Sequence, residues 1–298
     1  MGTGVGLMFA GQGAQHPGMG AELCKNSQAA AEIYARADQL LGWKISELCF
    51  LGPQEELTAC AKCQPAIYVT SMADLASRVE ATPELASQIT AVAGLSLGEI
   101  AAFATAGVYS FEDGLRIVAR RGELMDELCR RNAGAMYAII GADEAIVNQI
   151  SQEHDVDVAN YNCPGQLIIS GHCDKVATAA EALTPHAMKV ARLEVAGAYH
   201  SRLMRDAGDA FREFIADIPF NAPKFTVFHN VTGAAAVPEA DAIRDNLARQ
   251  IYSPVRWELC ARGLAAQCES LQELGPGKVL AGLMRRIDRN TQVTSSDL

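Results

Sequence analysis

The segment that decides the fold is ITAVAGLSLGEIAAFATA, residues 89–106. Its first six residues are a short apolar run that predicts a buried strand, and residues 99–106 have the pattern of a helix. Between them, Gly94-Leu95-Ser96-Leu97-Gly98 matches the pattern G-x-S-x-G. A turn of this kind, between a strand and a helix, displays its serine hydroxyl beside the N–H groups of the helix start. The segment therefore predicts an α/β fold in which Ser96 is a nucleophile.

Further strand and helix patterns lie on either side of this segment. Residues 5–10 are typical of a buried strand and end at the turn Gly11-Gln12-Gly13. Helical patterns follow at residues 19–41 and, opened by Pro65, at residues 65–79. Because strands alternate with helices, the sequence predicts a hydrolase-like core with a parallel sheet and helices on both faces.

The order of elements changes between residues 134 and 195. The predicted elements there are strand 135–141, helix 143–152, strands 156–160 and 166–171, helix 174–184 and strand 188–195. This βαββαβ order is ferredoxin-like. We therefore predict a ferredoxin-like subdomain at residues 127–198, inserted into a core made of residues 1–126 and 199–298.

Composition excludes several classes of function. The chain has 298 residues, 49% of them hydrophobic, and a formal net charge of -10, which argues against nucleic-acid binding. No apolar stretch is long enough to span a bilayer and no signal peptide is visible, so we expect no membrane partner. The expected location is the cytoplasm, or the stroma of a plastid or other organelle if the protein is eukaryotic and processed. Nine cysteines, an odd number in a long chain, favour reduced thiols over disulfides.

A nucleophilic serine needs a base within hydrogen-bonding reach. His200 follows a predicted strand and a glycine, where the chain re-enters the core, and a loop at that point can place it over Ser96. His229 also follows a strand and remains an alternative. The histidines that fall in the insertion are expected to be solvated.

Arg121 lies on the helix that follows Ser110, about 60° from the apolar line of that helix. A guanidinium at the edge of a buried stripe costs several kcal/mol unless it has an anionic partner, as is typical of buried charges. That partner is either an internal Asp or Glu or the carboxylate of a substrate, which the fork of an arginine can bind with two hydrogen bonds.

Seven stretches, in the same order along the chain, resemble the malonyl-CoA:acyl carrier protein transacylases and the related acyltransferase domains of polyketide and fatty-acid synthases. These stretches are residues 11–15, 94–99, 121–122, 160–166, 197–200, 250–255 and 275–280. The resemblance covers almost the whole chain. It implies that a malonyl group is transferred from malonyl-CoA to the phosphopantetheine thiol of acyl carrier protein through a malonyl-serine intermediate. It also implies that no metal or redox cofactor is needed, and we expect a monomer.

The resemblance assigns roles to individual residues. Ser96 is acylated, His200 is its base, and Arg121 binds the free carboxylate of the malonyl group. The backbone N–H groups of Gln12 and Leu97 form the oxyanion hole. Two further roles complete the expected site: the backbone carbonyl of Gln250 orients the histidine, and Asn162 lines the pocket.

Three positions depart from the usual pattern of that family. Leu95 replaces the common histidine before the nucleophile and makes the pocket more apolar, which bears on acyl preference. Ala10 replaces a proline, and Tyr199 replaces the more usual phenylalanine before His200. The alternatives are a trans-acting polyketide acyltransferase with another acyl preference, a serine hydrolase or thioesterase, and a non-catalytic module that binds acyl carrier protein.

Overall fold

The computed structural model describes residues 4–296 and residue 298. Its main sheet contains five strands: β1 (Val5–Phe9), β2 (Ile89–Gly94), β7 (Thr226–Val227), β8 (Ser270–Leu274) and β9 (Val293–Ser295). They lie in the spatial order β7-β2-β1-β8-β9, and every neighbouring pair is parallel. The predicted parallel sheet is confirmed.

The central strands of this sheet end in register. Phe9, the last residue of β1, is paired with Gly94 at the end of β2 and with Leu274 at the end of β8. The turns that follow these three strands therefore lie side by side at one edge of the sheet, where ligands bind in open parallel sheets.

Twelve α-helices of the described residues pack around this sheet. They are α1 (Ala21–Asn26), α2 (Gln28–Leu41), α3 (Ile45–Leu51), α4 (Gln54–Thr58), α5 (Cys60–Ala81), α6 (Leu85–Gln88), α7 (Gly98–Thr105), α8 (Phe111–Arg131), α11 (Arg205–Phe214), α12 (Ala240–Gln250), α13 (Trp257–Gln267) and α14 (Val279–Ile287). Side chains alternate between the two faces of β1: Leu7 and Phe9 join one apolar core and Met8 joins another. Both faces are therefore covered, as predicted. Across the described part of the chain, no helix has the length and apolar character needed to cross a membrane.

A second, antiparallel sheet forms the insertion. Its strands are β3 (Gly134–Ile140), β4 (Asp157–Cys163), β5 (Gln166–His172) and β6 (Lys189–Arg192), and its helices are α9 (Glu144–Glu153) and α10 (Cys173–Leu183). The spatial order is β4-β5-β3-β6. This order confirms the ferredoxin-like βαββαβ prediction. Ile139, Val147 and Ile169 belong to an apolar core of its own.

The insertion is joined to the core by backbone hydrogen bonds as well as by the chain itself. The N–H of Tyr161 donates to the carbonyl of Val255 at 2.9 Å, and the N–H of Val255 donates to the carbonyl of Ala159 at 2.8 Å. Helix α8 runs through residue 127, where we placed the start of the insertion. Of the predicted core, residues 1–3 and 297 lie outside the described residues.

Two predicted helices differ from the observed ones. The pattern at residues 19–41 is divided into α1 and α2 at Ser27, whose side chain accepts a hydrogen bond from the N–H of Ala30 and so caps α2. Helix α5 begins at Cys60, five residues before Pro65. A proline inside a helix removes one backbone hydrogen bond, and the extensive burial of α5 offsets that loss. The short elements α3, α4, α6 and β9 were not predicted.

Two glycines allow the sharp turn after β2. A Cβ atom built on Gly98 would lie 2.2 Å from the carbonyl oxygen of Phe9, and one built on Gly94 would lie 1.9 Å from the carbonyl carbon of Gly98. Both contacts are with backbone atoms, which cannot move aside as the end of a side chain can. The strand end and the helix start therefore pack backbone against backbone.

We expect Gly98→Ala to lower the free energy of unfolding by about 3 kcal/mol, because the new methyl group overlaps the backbone of β1. Gly282→Ala in α14 is the matched control, since nothing lies within 4 Å of its Cβ position. That control should gain about 0.5–1 kcal/mol from higher helix propensity. Urea unfolding followed by circular dichroism measures both, and equal stabilities would contradict the backbone constraint.

Candidate active site

Ser96 occupies the turn between β2 and α7. Its φ angle is 53°, in the left-handed region that non-glycine residues rarely adopt. The turn is fixed from the far side, because the N–H of Ser96 donates to Oδ1 of Asn230 at 2.6 Å and Nδ2 of Asn230 donates to the carbonyl of Gly94 at 2.8 Å. The hydroxyl is thus held over the sheet edge, as a nucleophile requires.

His200 lies against this hydroxyl. Its Nε2 atom is 2.8 Å from Oγ of Ser96, and its Nδ1 atom is 2.8 Å from the carbonyl oxygen of Gln250. Since a carbonyl only accepts hydrogen bonds, Nδ1 carries the proton and Nε2 presents its lone pair to the serine. Burial, together with the nearby charge of Arg121, lowers the pKa of His200 from its ordinary value of 6.5 to about 4. The imidazole is therefore neutral at pH 7 and able to accept a proton.

Arg121 of α8 is also buried beside the serine, with 1% of its surface exposed. One terminal nitrogen donates to Oε1 of Gln64 at 2.8 Å, and the other donates to Oε1 of Gln250 at 2.9 Å and to Oγ of Ser96 at 3.1 Å. Its Nε atom has no partner in the described part of the chain. Burial lowers the pKa of Arg121 to about 10, so the guanidinium stays charged at neutral pH.

The sequence allows two partners for Arg121, an internal carboxylate or the carboxylate of a substrate. Its observed partners are two neutral amide oxygens and a hydroxyl, and among the described residues it forms no ion pair. A buried cation surrounded by neutral acceptors can bind an incoming anion without displacing an internal one.

A cavity of about 330 Å³ opens over Ser96 between the core and the insertion. Its polar lining includes Gln12, Asn162 and His200, and its apolar lining includes Leu95 and Met136. Oδ1 of Asn162 is buried without a partner in the described chain. The predicted pocket residues Asn162 and Leu95 are therefore brought to the same cavity as the serine.

Two backbone N–H groups beside the serine are free to act. Leu97 follows Ser96 directly, and Gln12 lines the same cavity from the turn after β1. Within residues 4–296, neither N–H donates to another group of the protein. Unpaired N–H groups near a nucleophile are suited to stabilise an oxyanion.

Sequence reasoning missed a buried layer of polar residues beneath the serine. It consists of Gln64, Glu99 and Asn230, together with His229, which had been considered only as an alternative base. His229 instead contacts Oε1 of Glu99 through Nδ1 at 2.6 Å and packs against Phe103. One signal could have located Asn230: it follows β7, and the carboxyl ends of parallel strands converge at one sheet edge.

The cysteines play no visible metal-binding or cross-linking role. All nine are free thiols, and no group of His, Cys, Asp and Glu residues in the described chain is arranged to hold a metal ion. Cys60 is buried, and its Sγ atom donates to the hydroxyl of Tyr199 at 3.0 Å. The Tyr199 hydroxyl is thus held within the wall of the cavity.

A displayed serine with a neutral imidazole at its hydroxyl, in a hydrolase-like sheet, defines the class of serine-dependent acyl-transferring enzymes. The chain belongs to the acyl transferase domain family, whose model matches residues 7–270.

Relatives at high coverage agree with this membership. The chain is 38% identical to the malonyl CoA-acyl carrier protein transacylase of Bacillus subtilis over 96% of this chain and 90% of that protein. It is 40% identical to the polyketide biosynthesis protein ThaF of Burkholderia thailandensis, over 94% of this chain but 24% of that longer protein.

Solved structures share the whole fold. An acyl carrier protein S-malonyltransferase from Vibrio cholerae superposes with a TM-score of 0.92 at 35% identity, covering 99% of this chain and 98% of the other. A malonyl-transacylase solved in complex with its type II PKS acyl-carrier protein gives a TM-score of 0.94 at 34% identity, covering 99% and 97%. The predicted fold class and family are confirmed.

We expect the acylation of Ser96 by a neutral ester, such as p-nitrophenyl acetate, to be independent of pH from 8 down to about 5, because the pKa of His200 is about 4. Below that, the rate should fall as Nε2 becomes protonated. The same burial lowers the free energy of unfolding as the pH falls from 6.5 toward 4, because only the unfolded imidazole takes up a proton in that window. Circular dichroism at each pH separates unfolding from titration, and a rate midpoint near 6.5 in folded protein would contradict the low pKa.

Proposed function

We propose that this chain transfers a malonyl group from malonyl-CoA to the phosphopantetheine thiol of acyl carrier protein, through a malonyl ester of Ser96. The observation that carries the proposal is Arg121, a buried cation 3.1 Å from Oγ of Ser96 that has only neutral partners among the described residues. An acyl group with a free carboxylate supplies an anion in direct contact with the guanidinium. The names of the relatives support the same acyl group and the same acceptor.

The first half-reaction forms the acyl-enzyme. His200 accepts the proton of Ser96 at Nε2 while Oγ attacks the thioester carbonyl carbon of malonyl-CoA. The carbonyl oxygen becomes an oxyanion, which the N–H groups of Gln12 and Leu97 stabilise. When the C–S bond breaks, the proton on His200 passes to the sulfur and CoA leaves as a free thiol.

The second half-reaction reverses these roles with a new thiol. The phosphopantetheine thiol gives its proton to Nε2 of His200, and its sulfur attacks the ester carbonyl of malonyl-Ser96. The C–O bond then breaks, and Oγ recovers the proton from His200. The carbonyl of Gln250 orients the imidazole throughout, because the bond from Nδ1 keeps the lone pair of Nε2 toward the reacting atoms.

The inserted subdomain, residues 127–198, forms the wall of the pocket that faces Ser96 in this proposal. Met136, Asn160, Asn162 and Ile168 line the cavity from that side. The amide groups of the two asparagines are suited to the amide-containing phosphopantetheine arm, and the apolar side chains exclude water from the ester. Leu95 adds apolar surface next to the serine and is the residue through which acyl preference is expected to vary.

We further propose that the enzyme acts as a monomer in the cytoplasm. Both CoA and acyl carrier protein are acidic, so their approach to a chain with net charge -10 requires a local basic surface. Five basic residues are candidates for such a surface: Lys189, Arg192, Arg202, Arg205 and Arg285. Arg202 is already paired with Asp155 and Asp157, so it is a weak choice for this role.

Ser96→Ala should abolish formation of the acyl-enzyme and lower kcat by about 10⁴-fold or more, because Nε2 of His200 contacts no other nucleophile among the described residues. Intact-mass spectrometry after mixing with malonyl-, methylmalonyl- and acetyl-CoA measures this, and in the unmodified enzyme it also shows which acyl group is accepted. A malonyl adduct on the alanine variant would exclude the mechanism.

Arg121→Ala should lower kcat/KM for malonyl-CoA by about 100-fold, because a buried carboxylate would lose its cationic partner. Transfer from acetyl-CoA should be retained or increased. Arg120→Ala on the same helix is the control, since Arg120 pairs with Glu123 at the surface. Equal losses with both substrates would show that Arg121 does not bind the malonyl carboxylate.

A further inference from the structure

The most deeply buried carboxylate at the site belongs to Glu99, one residue beyond the nucleophile turn. Its exposed fraction is 0%, so its charge must be stabilised by hydrogen bonds. Oε1 accepts from the N–H of Asn230 at 3.1 Å and contacts Nδ1 of His229 at 2.6 Å. Oε2 accepts from Nε2 of Gln250.

His229 donates one hydrogen bond, from Nδ1 to Glu99. Its Nε2 atom is buried and has no partner in the described part of the chain. A buried N–H without an acceptor is more costly than an unused lone pair, so the proton belongs on Nδ1, facing the carboxylate. Glu99 therefore accepts three hydrogen bonds at its two carboxylate oxygens.

The side-chain amide of Gln250 connects this anion to Arg121. Its Nε2 atom has two protons, one donated to Glu99 and the other to the carbonyl of Ser96 at 2.7 Å. Its Oε1 atom must then face the guanidinium, from which it accepts a hydrogen bond at 2.9 Å. The orientation of the amide is fixed by its partners on both ends.

We propose that Glu99 and the side-chain amide of Gln250 form a positioning pair that selects acyl groups carrying a free carboxylate. Glu99 balances the buried charge of Arg121 across one neutral amide, without contacting it. A direct ion pair would have occupied the guanidinium, and a substrate carboxylate would have had to displace it. With no balancing charge at all, the buried cation would be strongly destabilised.

The inference rests on the proposed function and adds to it the means by which Arg121 stays available. The guanidinium is charge-balanced and aimed at Oγ of Ser96, and its Nε atom has no partner among the described residues. Both the turn and the cation depend on the same amide, because Gln250 also holds the carbonyl of Ser96.

Glu99→Gln tests the pair by exchanging one acceptor for a donor. The new amide keeps its oxygen toward His229 and Asn230, so its nitrogen faces Gln250 and turns the amide of Gln250 over. The N–H groups of the Gln250 amide then face the guanidinium of Arg121. Because a guanidinium also has only donors, the two groups repel and Arg121 is displaced. We expect the ratio of kcat/KM for malonyl-CoA to kcat/KM for acetyl-CoA to fall by about tenfold or more. A ratio unchanged within about twofold would overturn the proposal, even if both activities fall, since loss of the turn alone affects both substrates.

Gln250→Glu tests the same point should Glu99→Gln fail to fold. It retains the backbone carbonyl that orients His200 and replaces the neutral amide by a carboxyl group, one oxygen of which contacts Arg121 while the other shares a proton with Glu99. The malonyl-to-acetyl ratio should again fall by about tenfold or more, and an unchanged ratio would overturn the proposal. Glu273→Gln is the matched control. Glu273 is another buried carboxylate, and it accepts hydrogen bonds from the N–H groups of Leu280 and Ala281 rather than from Gln250. It should lower thermal stability without changing the ratio, and an equal shift there would count against a specific role of Glu99.

The results of these experiments distinguish failure of this inference from failure of the proposed function. If Arg121→Ala changes selectivity but Glu99→Gln and Gln250→Glu do not, Arg121 binds malonyl without the help of the pair. If the unmodified enzyme shows no preference for malonyl-CoA, the proposed function itself is wrong and the pair has nothing to select.

Discussion

The register of one strand governs the geometry of the whole site. Because Phe9 is aligned with both Gly94 and Leu274, the turns that carry Gln12 and Ser96 begin at the same level of the sheet. The short strand β7, paired with β2, brings Asn230 to the back of the serine turn. A shift by one residue would move the N–H of Gln12 away from Ser96 and turn the side chains of β1 to the opposite face. The relative positions of Gln12 and Ser96 therefore follow from the pairing of the strand backbones.

Burial leaves two neighbouring side chains, His200 and Arg121, in opposite charge states. The imidazole of His200 stays neutral, because desolvation and the charge of Arg121 both disfavour a second cation. The guanidinium stays charged, because the ordinary pKa of arginine is so high that even a fall to about 10 leaves it protonated. A lysine at position 121 would respond to burial more strongly and could lose its proton. The arginine is thus suited to hold a permanent charge beside an imidazole that is uncharged at pH 7.

Local pattern was enough to predict the serine turn and the ferredoxin-like insertion, since each depends on the order of apolar runs and glycines. His200 and Arg121 could not be assigned by pattern alone, because a histidine at a helix start or an arginine beside an apolar stripe has several ordinary explanations. Resemblance to a family supplied their roles, which remain proposals. Glu99 and Gln64 were not predicted, because hydrogen bonds between residues far apart in sequence leave no periodic signal. The predicted start of α5 is wrong because Pro65, a residue that favours the first turn of a helix, lies inside α5.

The backbone hydrogen bonds between Val255 and strand β4 join the core to the insertion on both sides of Asn160, which lines the cavity. One wall of the cavity belongs to the core and the other to the insertion. The hydrogen bonds that join them are between backbone atoms and so do not depend on side-chain identity. A larger acyl chain therefore gains little from a hinge motion, which would have to break those bonds. Acceptance of bulkier acyl groups is therefore expected to require smaller side chains at positions such as Leu95 and Met136. The spacing between the core and the insertion would stay unchanged.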